Sequence, residues 1–445
     1  MEYLIGLDIG TSAVKGALMS EDGRIIRVAA EEFGYVFEGS FKLLYPEDFV
    51  RACSDVVRTL SASADGGIAA LCSCCASGNP LFLGESSEPL TRIIGWQSEI
   101  PWDDLNKVYT KEEQKEIYRV VGWDFFEGMP AADLAWISLH RPDILEKTKM
   151  LVMSAEYLNF RLTGKWGVSR SMGTPFYLID QEKGEYYPPM LDKFGLTADM
   201  LPPIYEKGTV LGAVTPDAAA KLGLDAGTAV VLGSFDHPSG ALGAGVFDEG
   251  DLLLSCGTSW VELFPVASRE FALSTGGLVD RFMIDGTPWC VMESIASLSD
   301  RIDALRRRLF GKISYEEFDG LAAAGEPGCR GLKFDFTEDD PGRAKGFGKP
   351  DIARAIIESS ARLLRDNLSK HREIGLRADR ITAIGGITNS RISVDIISSV
   401  MEREIRVVNG RSAGAVGSCL LAGIGVGKFP GEKEAFERMR GHQSI

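Results

Sequence analysis

Short apolar runs closed by glycine alternate along this chain with longer stretches of helical character. The first run, Tyr3 to Asp8, ends at Gly10, Thr11 and Ser12; Ala13 to Met19 then leads into a polar turn at Glu21 to Arg24. That pattern predicts a β-hairpin with a small, polar tip. In the second half it returns: Asp251 to Cys256, then Gly257, Thr258 and Ser259, then Trp260 to Phe264. Two copies of strand, Gly-Thr-Ser and strand predict a duplicated domain with a cleft between the halves. Helical stretches at 46–62, 111–120, 131–140, 155–162, 297–310 and 350–372 separate the β-rich ones, which is α/β architecture. A buried strand, Ala229 to Gly233, opens onto a Gly/Ala/Ser-rich segment ending at Gly245. Another, Arg380 to Ile384, ends in Gly385 and Gly386 and precedes an amphipathic helix, Ser390 to Met401. Ser412 to Gly427 reads as a packed helix, too short to span a bilayer, and the charged C-terminal end reads as peripheral.

Composition narrows the function. With 445 residues, 45% hydrophobic and 25% charged, the chain is sized for two or three folded units and is neither disordered, fibrous nor a disulfide-stapled module. Lys and Arg number 48 against 63 Asp and Glu, a net charge of −15. An acidic chain lacks the basic surface that nucleic acid or an anionic membrane requires, which leaves a small ligand as the expected partner. The eight cysteines are scattered through apolar segments, as buried thiols in a reducing compartment are. No basic stretch precedes an apolar core at the N-terminus, so no secretory signal is expected and the location expected is cytoplasmic.

Candidate chemistry sits where strands end. In Gly10, Thr11 and Ser12 small residues allow backbone N–H groups to approach an anion, hydroxyls add donors, and Asp8 at the strand end is placed to hold Mg²⁺ through water. A lone Gly-Thr-Ser is more simply a hairpin turn. Repeated at Gly257, Thr258 and Ser259, it reads as a two-sided phosphate clamp. Asp236 follows a buried strand and opens a small-residue segment, which makes it the candidate general base; the competing reading is a helix N-cap. His237 ranks second, having no orienting partner in the sequence. Lys15 reads equally as a phosphate contact or a solvated lysine. Gly385 and Gly386 allow close approach of an adenine or ribose, or form a simple strand-to-helix turn. Cys72, Cys74 and Cys75 alternate with small residues as on a strand, without a second ligand pair at metal spacing.

Taken together, residues 7–15, 233–245 around Asp236, 254–259, and 384–390 resemble, in order and spacing, the FGGY carbohydrate kinases, xylulose and fuculose kinases among them, over nearly the whole chain. Residues 154–164 and the Ser/Thr-rich stretch at Ser169, Ser171 and Thr174 are similar to further family segments. The resemblance implies two actin/hexokinase-like (ribonuclease H-like) domains, divided as 1–245 and 246–445, that close on ATP, Mg²⁺ and a sugar. It implies Asp236 as catalytic base and substrate contact. Asp8, Gly10, Thr11 and Ser12 fall at the first phosphate motif, with Lys15 a candidate contact beside it, Gly257, Thr258 and Ser259 at the second, and Gly385, Gly386 and Asn389 at the adenosine motif. Where xylulose kinases carry a Met-His pair, this chain has Ser77, Gly78 and Asn79. Where many members show Trp-x-Asp-x-Arg, it has Trp96 followed by Gln97, Ser98, Glu99 and Ile100, so the sugar contacts are altered.

The expected activity is ATP-dependent phosphorylation of a ketose, such as a pentulose or deoxyhexulose, or a related polyol. A homodimer is left open. Two alternatives share the fold: a sugar-binding regulator without turnover, and a partner-activating ATPase with an iron-sulphur cluster built on Cys72, Cys74 or Cys75.

Overall fold

A computed structural model describes residues 1–76, 78–337 and 341–442. The N-terminal half builds a six-stranded sheet from β1 (Glu2–Ile9), β2 (Ala13–Ser20), β3 (Ile25–Glu32), β4 (Gly67–Cys75), β5 (Val210–Ala213) and β6 (Ala229–Phe235), in the order β5-β6-β4-β1-β2-β3. β1 runs antiparallel to β2 and parallel to β4, and β4 is parallel to β6. The second half repeats the plan with β7 (Gly250–Cys256), β8 (Trp260–Val266), β9 (Leu278–Arg281), β10 (Trp289–Ile295), β11 (Ala378–Gly385) and β12 (Ile405–Val407), in the order β9-β10-β8-β7-β11-β12. Here β7 is antiparallel to β8 and parallel to β11, as β1 is to β2 and β4. The expected duplication is therefore visible in strand order and direction as well as in the repeated tripeptide.

The helices that matter for the site are α1 (Pro46–Ser61), α2 (Lys111–Val121), α3 (Arg170–Gly173), α4 (Asp236–Ala244), α5 (Leu298–Phe310), α6 (Lys349–Glu373), α7 (Arg391–Met401), α8 (Ala413–Gly425) and α9 (Glu432–Arg440). α2 begins with a capping box between Thr110 and Glu113 and stops at Gly122 in the left-handed conformation, which explains its sharp ends. α4 follows β6 and α8 follows β12, so the two helices are counterparts, and they cross at backbone contact. A Cβ on Gly243 would lie 2.0 Å from the Ala413 carbonyl oxygen, and one on Gly417 would lie 1.9 Å from that of Ser239. Small residues are thus the condition for the crossing.

The first core gathers apolar residues of the N-terminal sheet, of α8 and α9, and one face of the second sheet, including Leu253, Leu263 and Met292. The opposite face, with Leu252, Leu254 and Phe264, packs on α6 and α7 in a second core. The charged C-terminal end, expected to be peripheral, is instead anchored. α9 buries Ala435, Phe436 and Met439, and Phe436 stacks edge-on against Phe247. Apart from Glu432, which is buried against Lys207, its charges occupy the outward face of an amphipathic helix, which masks three buried apolar positions in a short charged sequence.

Candidate active site

Three parallel strands of the first sheet end together. Register places Asp8 beside Cys74, and Cys75 between Ile9 and Phe235, so Asp8 and the β6–α4 junction share the C-terminal edge where ligands of α/β sheets bind. Asp236 is the first residue of α4, and its Oδ1 accepts the N–H of His237 at 2.8 Å. It does not cap the helix in the manner of the competing reading: the N-cap is Phe235, without a side-chain cap bond. About a fifth of each side chain remains exposed, 22% for Asp236 and 21% for His237, with His237 Nε2 3.9 Å from Asp236 Oδ1. The carboxylate is thus enclosed but reachable.

Asp8 lies opposite Lys15 across the hairpin, and its Oδ1 faces the Cys74 thiol at 3.7 Å. Gly414, at the start of α8, leaves the space its carboxylate fills, since a Cβ there would be 2.7 Å from Asp8 Cγ. Burial pushes the Asp8 carboxyl above its ordinary value; Lys15 opposes this and the negative field of Asp236 adds to it. Burial likewise raises Asp236, against the pull of His237, its N–H and Lys15. The structure therefore brings together Asp8, Lys15, Asp236 and His237, and a carboxylate shifted upward is a stronger proton acceptor.

Gly10, Thr11 and Ser12 cross between β1 and β2, pinned by the Gly10 N–H to the Ala13 carbonyl at 3.0 Å and the Phe33 N–H to that of Ser12 at 3.1 Å. Gly257, Thr258 and Ser259 occupy the equivalent place between β7 and β8. Here α5 begins against the loop: the Ser299 N–H donates to the Thr258 carbonyl at 3.1 Å and the Ser297 N–H to Ser259 Oγ at 3.0 Å. Gly385 pairs with Cys256, one residue before that loop, and has φ of 89°, with room for a Cβ denied by the Cys256 carbonyl at 2.4 Å. Gly386 and Asn389 follow in an exposed turn. The adenosine candidates thus adjoin the second phosphate candidate.

The sugar candidates continue from the edge of β4. Ser77 lies outside the described residues. Gly78 has φ of 89° against Met129, and Asn79 spends its amide on the loop itself, accepting the Trp96 N–H at 3.0 Å and donating to the Ala76 carbonyl. The Trp96 indole N–H reaches Thr11 Oγ1 at 3.2 Å, which joins the sugar candidates to the first phosphate loop. Gln97 accepts from Lys42, and Ser98 donates to the Gly95 carbonyl.

Residues 3–243 match the N-terminal domain of the FGGY family of carbohydrate kinases, and residues 303–426 match its C-terminal domain. The chain belongs to the FGGY family of carbohydrate kinases. It is 25% identical to a xylulose kinase of Staphylococcus epidermidis over 96% of this chain and 89% of that one. It is equally 25% identical to an autoinducer-2 kinase of Klebsiella pneumoniae, over 99% and 88%. Its fold is that of a ligand-bound xylulose kinase from Lactobacillus acidophilus, with a TM-score of 0.87, 21% identity and coverage of 100% and 96%. As an FGGY carbohydrate kinase it phosphorylates with ATP.

The donor set of this FGGY kinase fits nucleotide and metal. Two glycine loops offer backbone donors to phosphates, and Asp8 with Asp236 supplies carboxylate oxygens of the kind Mg²⁺ shares with phosphates and water. Cys72, Cys74 and Cys75 lie buried along β4, with Cys74 turned to Asp8 and Cys75 to Ser154. Among the described residues no group of three or more His, Cys, Asp or Glu is arranged to hold a metal ion, and no helix is long and apolar enough to cross a membrane. Reading the sequence did not find Gly414, because its role is to be absent beside Asp8. The small-residue run 412–427 is the only trace of it.

Proposed function

We propose that this FGGY kinase transfers the γ-phosphoryl of ATP to a hydroxyl of a ketose or related polyol, with Asp236 as general base. The observation that carries the reading is the enclosed but reachable Asp236 carboxylate, held above its ordinary value by burial at the shared edge of β1, β4 and β6. The acceptor hydroxyl gives its proton to Asp236 as its oxygen attacks the γ-phosphorus, the bond to the β-phosphate oxygen breaks, and ADP leaves. Little covalent help is required from the protein in such a transfer; alignment and charge neutralisation do most of it. Thr11, Ser12 and the N–H groups of the first loop hold one side of the phosphates, and Thr258 and Ser259 hold the other. Gly385, Gly386 and Asn389 receive the adenosine. Mg²⁺, held through Asp8 with Asp236 nearby, supplies neutralisation of phosphate charge when bound. Trp96 and the 77–79 segment border the sugar. The xylulose kinases among the relatives support a ketose acceptor, and the altered 77–79 and 96–100 segments, with an autoinducer-2 kinase equally similar, support one different from xylulose.

The test is ADP formation from ATP and Mg²⁺ against ketopentoses, deoxyketohexoses, tetruloses, aldonates, polyols and glycerol. One acceptor raising turnover well above the background is expected, and Asp236→Asn should lower kcat by about 10²–10⁴-fold with nucleotide binding retained. Undiminished turnover in Asp236→Asn would remove the base assignment. Silence across the panel, with sugar binding still measurable, would favour a regulator.

A further inference from the structure

β6 leaves its hydrogen-bonded ladder just before the base. Its register on β4 shifts between Leu232 and Phe235, freeing backbone groups at the place where Asp236 is aimed. Two serines of one segment take them up. Ser169 Oγ donates to the Gly233 carbonyl at 2.6 Å, and Ser171 Oγ accepts the Phe235 N–H at 3.2 Å. Ser171 is directional because its own proton is committed: it donates to Asp280 Oδ2 at 2.6 Å. Asp280 comes from β9, after the second phosphate loop. It is wholly buried, and its other oxygen accepts Thr174 Oγ1 at 2.9 Å and the Arg281 N–H at 2.8 Å. Three donors on two oxygens suit a carboxylate and leave no place for an amide, whose NH₂ would face a hydroxyl already committed as donor.

We infer that Asp280 is a positioning residue for the base, acting through the Ser171 hydroxyl, which it orients to hold the Phe235 N–H and so the first turn of α4 that carries Asp236. The inference rests on Asp236 being the base. It adds a brace from the second half of the chain to a group on the first, and it gives the Ser/Thr-rich stretch 169–174 a task that its resemblance to a family segment did not name. The 3.2 Å bond from Phe235 is the weakest link and therefore the one most sensitive to loss of the hydroxyl.

The experiment compares Ser171→Ala, Ser171→Thr, Asp280→Asn and Asp236→Asn. Amide hydrogen exchange across residues 235–239 is read on the full-length protein, and kcat and KM for ATP are read with whichever panel acceptor the unmodified protein uses. Ser171→Ala and Asp280→Asn are expected to raise exchange at 235–239 at least tenfold, with β1 and β4 unchanged. They should lower kcat about tenfold, with KM for ATP within threefold, and Ser171→Ala combined with Asp280→Asn in one chain should be no worse than the poorer of the two alone. Ser171→Thr, which restores the hydroxyl, should recover most of kcat. Unchanged exchange in Ser171→Ala, or kcat within twofold of the unmodified protein while Asp236→Asn is inactive, would overturn the brace alone. An active Asp236→Asn would overturn the base assignment and the brace with it. Should Asp280→Asn fail to fold, the two Ser171 variants decide by the same readouts.

Discussion

At the scale of single residues, burial raises several carboxyls, Asp133, Asp280 and Glu156 among them, and so ties stability to pH. Burial pushes Asp280 up to about 7 despite the hydroxyls of Ser171 and Thr174, and pushes Glu156 up to about 7 despite the Met153 N–H. The charged and titratable groups facing Asp280 are Lys207, itself paired to Glu432 at 2.9 Å, Cys290 across the strand pair, and Arg281, whose side chain turns to Glu206. Between the ordinary carboxylate range and about pH 7, the folded chain keeps a proton that the unfolded chain has released, so the ionised Asp280 that accepts three donors, and the brace built on it, belongs to the upper end of that window and above. Stability therefore falls as pH rises through that window and is greatest at its acid end. At up to about 1.36 kcal/mol per pH unit, less as Asp280 itself ionises near pH 7, Asp280 accounts for about 2 kcal/mol between pH 5 and 7. Denaturant midpoints from pH 5 to 8 should fall in the unmodified protein and fall less in Asp280→Asn; parallel slopes would mean that Asp280 is ionised throughout. The residues legible in sequence were those whose chemistry is local: Asp8, Asp236 and both Gly-Thr-Ser loops announce themselves by type and neighbours. Asp280 did not, because its partners lie 109 and 106 residues away and only the folded chain joins them.

At the scale of elements, strands and helices were legible wherever a burial pattern repeats, as in β1, β7, α1 and α6, and less so where one face was masked by charge, as in α9. The crossing of α4 and α8 shows a different limit. Its sequence is a run of small residues without strong periodicity, and what those residues accomplish, two backbones in contact, appears only when both helices are in place. The same substitution should accordingly have opposite signs at two helical glycines. A Cβ on Gly417 meets the Ser239 backbone at 1.9 Å, whereas one on Gly320, exposed in the helix Tyr315–Ala324, meets nothing within 4 Å. Gly417→Ala should destabilise by about 3 kcal/mol through overpacking, and Gly320→Ala should stabilise by about 0.5–1 kcal/mol through helix propensity. Urea midpoints check both, and a tolerated Gly417→Ala would show that the crossing can open.

At the scale of the whole molecule, the duplicated sheets do not make two independent bodies. The chain's first strand, β1, and its last two helices belong to one core, and that core continues into one face of the second sheet through Leu253, Leu263 and Met292. A polar seam reinforces the join. The Val279 N–H donates to the Gly122 carbonyl at 2.8 Å, Gln181 Nε2 to the Val279 carbonyl at 2.7 Å, and Arg269 Nε to Gln181 Oε1 at 3.0 Å. Asp280 sits one residue beyond Val279, so the brace on the catalytic edge belongs to the same seam. Large two-part proteins commonly unfold in steps because each part keeps its own core. Here losing the second sheet would expose Leu253, Leu263 and Met292 and uncover the side of α4 that packs on β7 and β11, so the first half should not survive the second. Scanning calorimetry should therefore give one endotherm with calorimetric and van't Hoff enthalpies in agreement. Arg269→Ala, which releases the seam at a half-buried point beside Trp289, should lower the midpoint but keep the single transition. Two resolved endotherms in the unmodified protein would mean that the second core, around Leu254 and Phe264, is the dominant cohesive unit of its half and that the shared face contributes little.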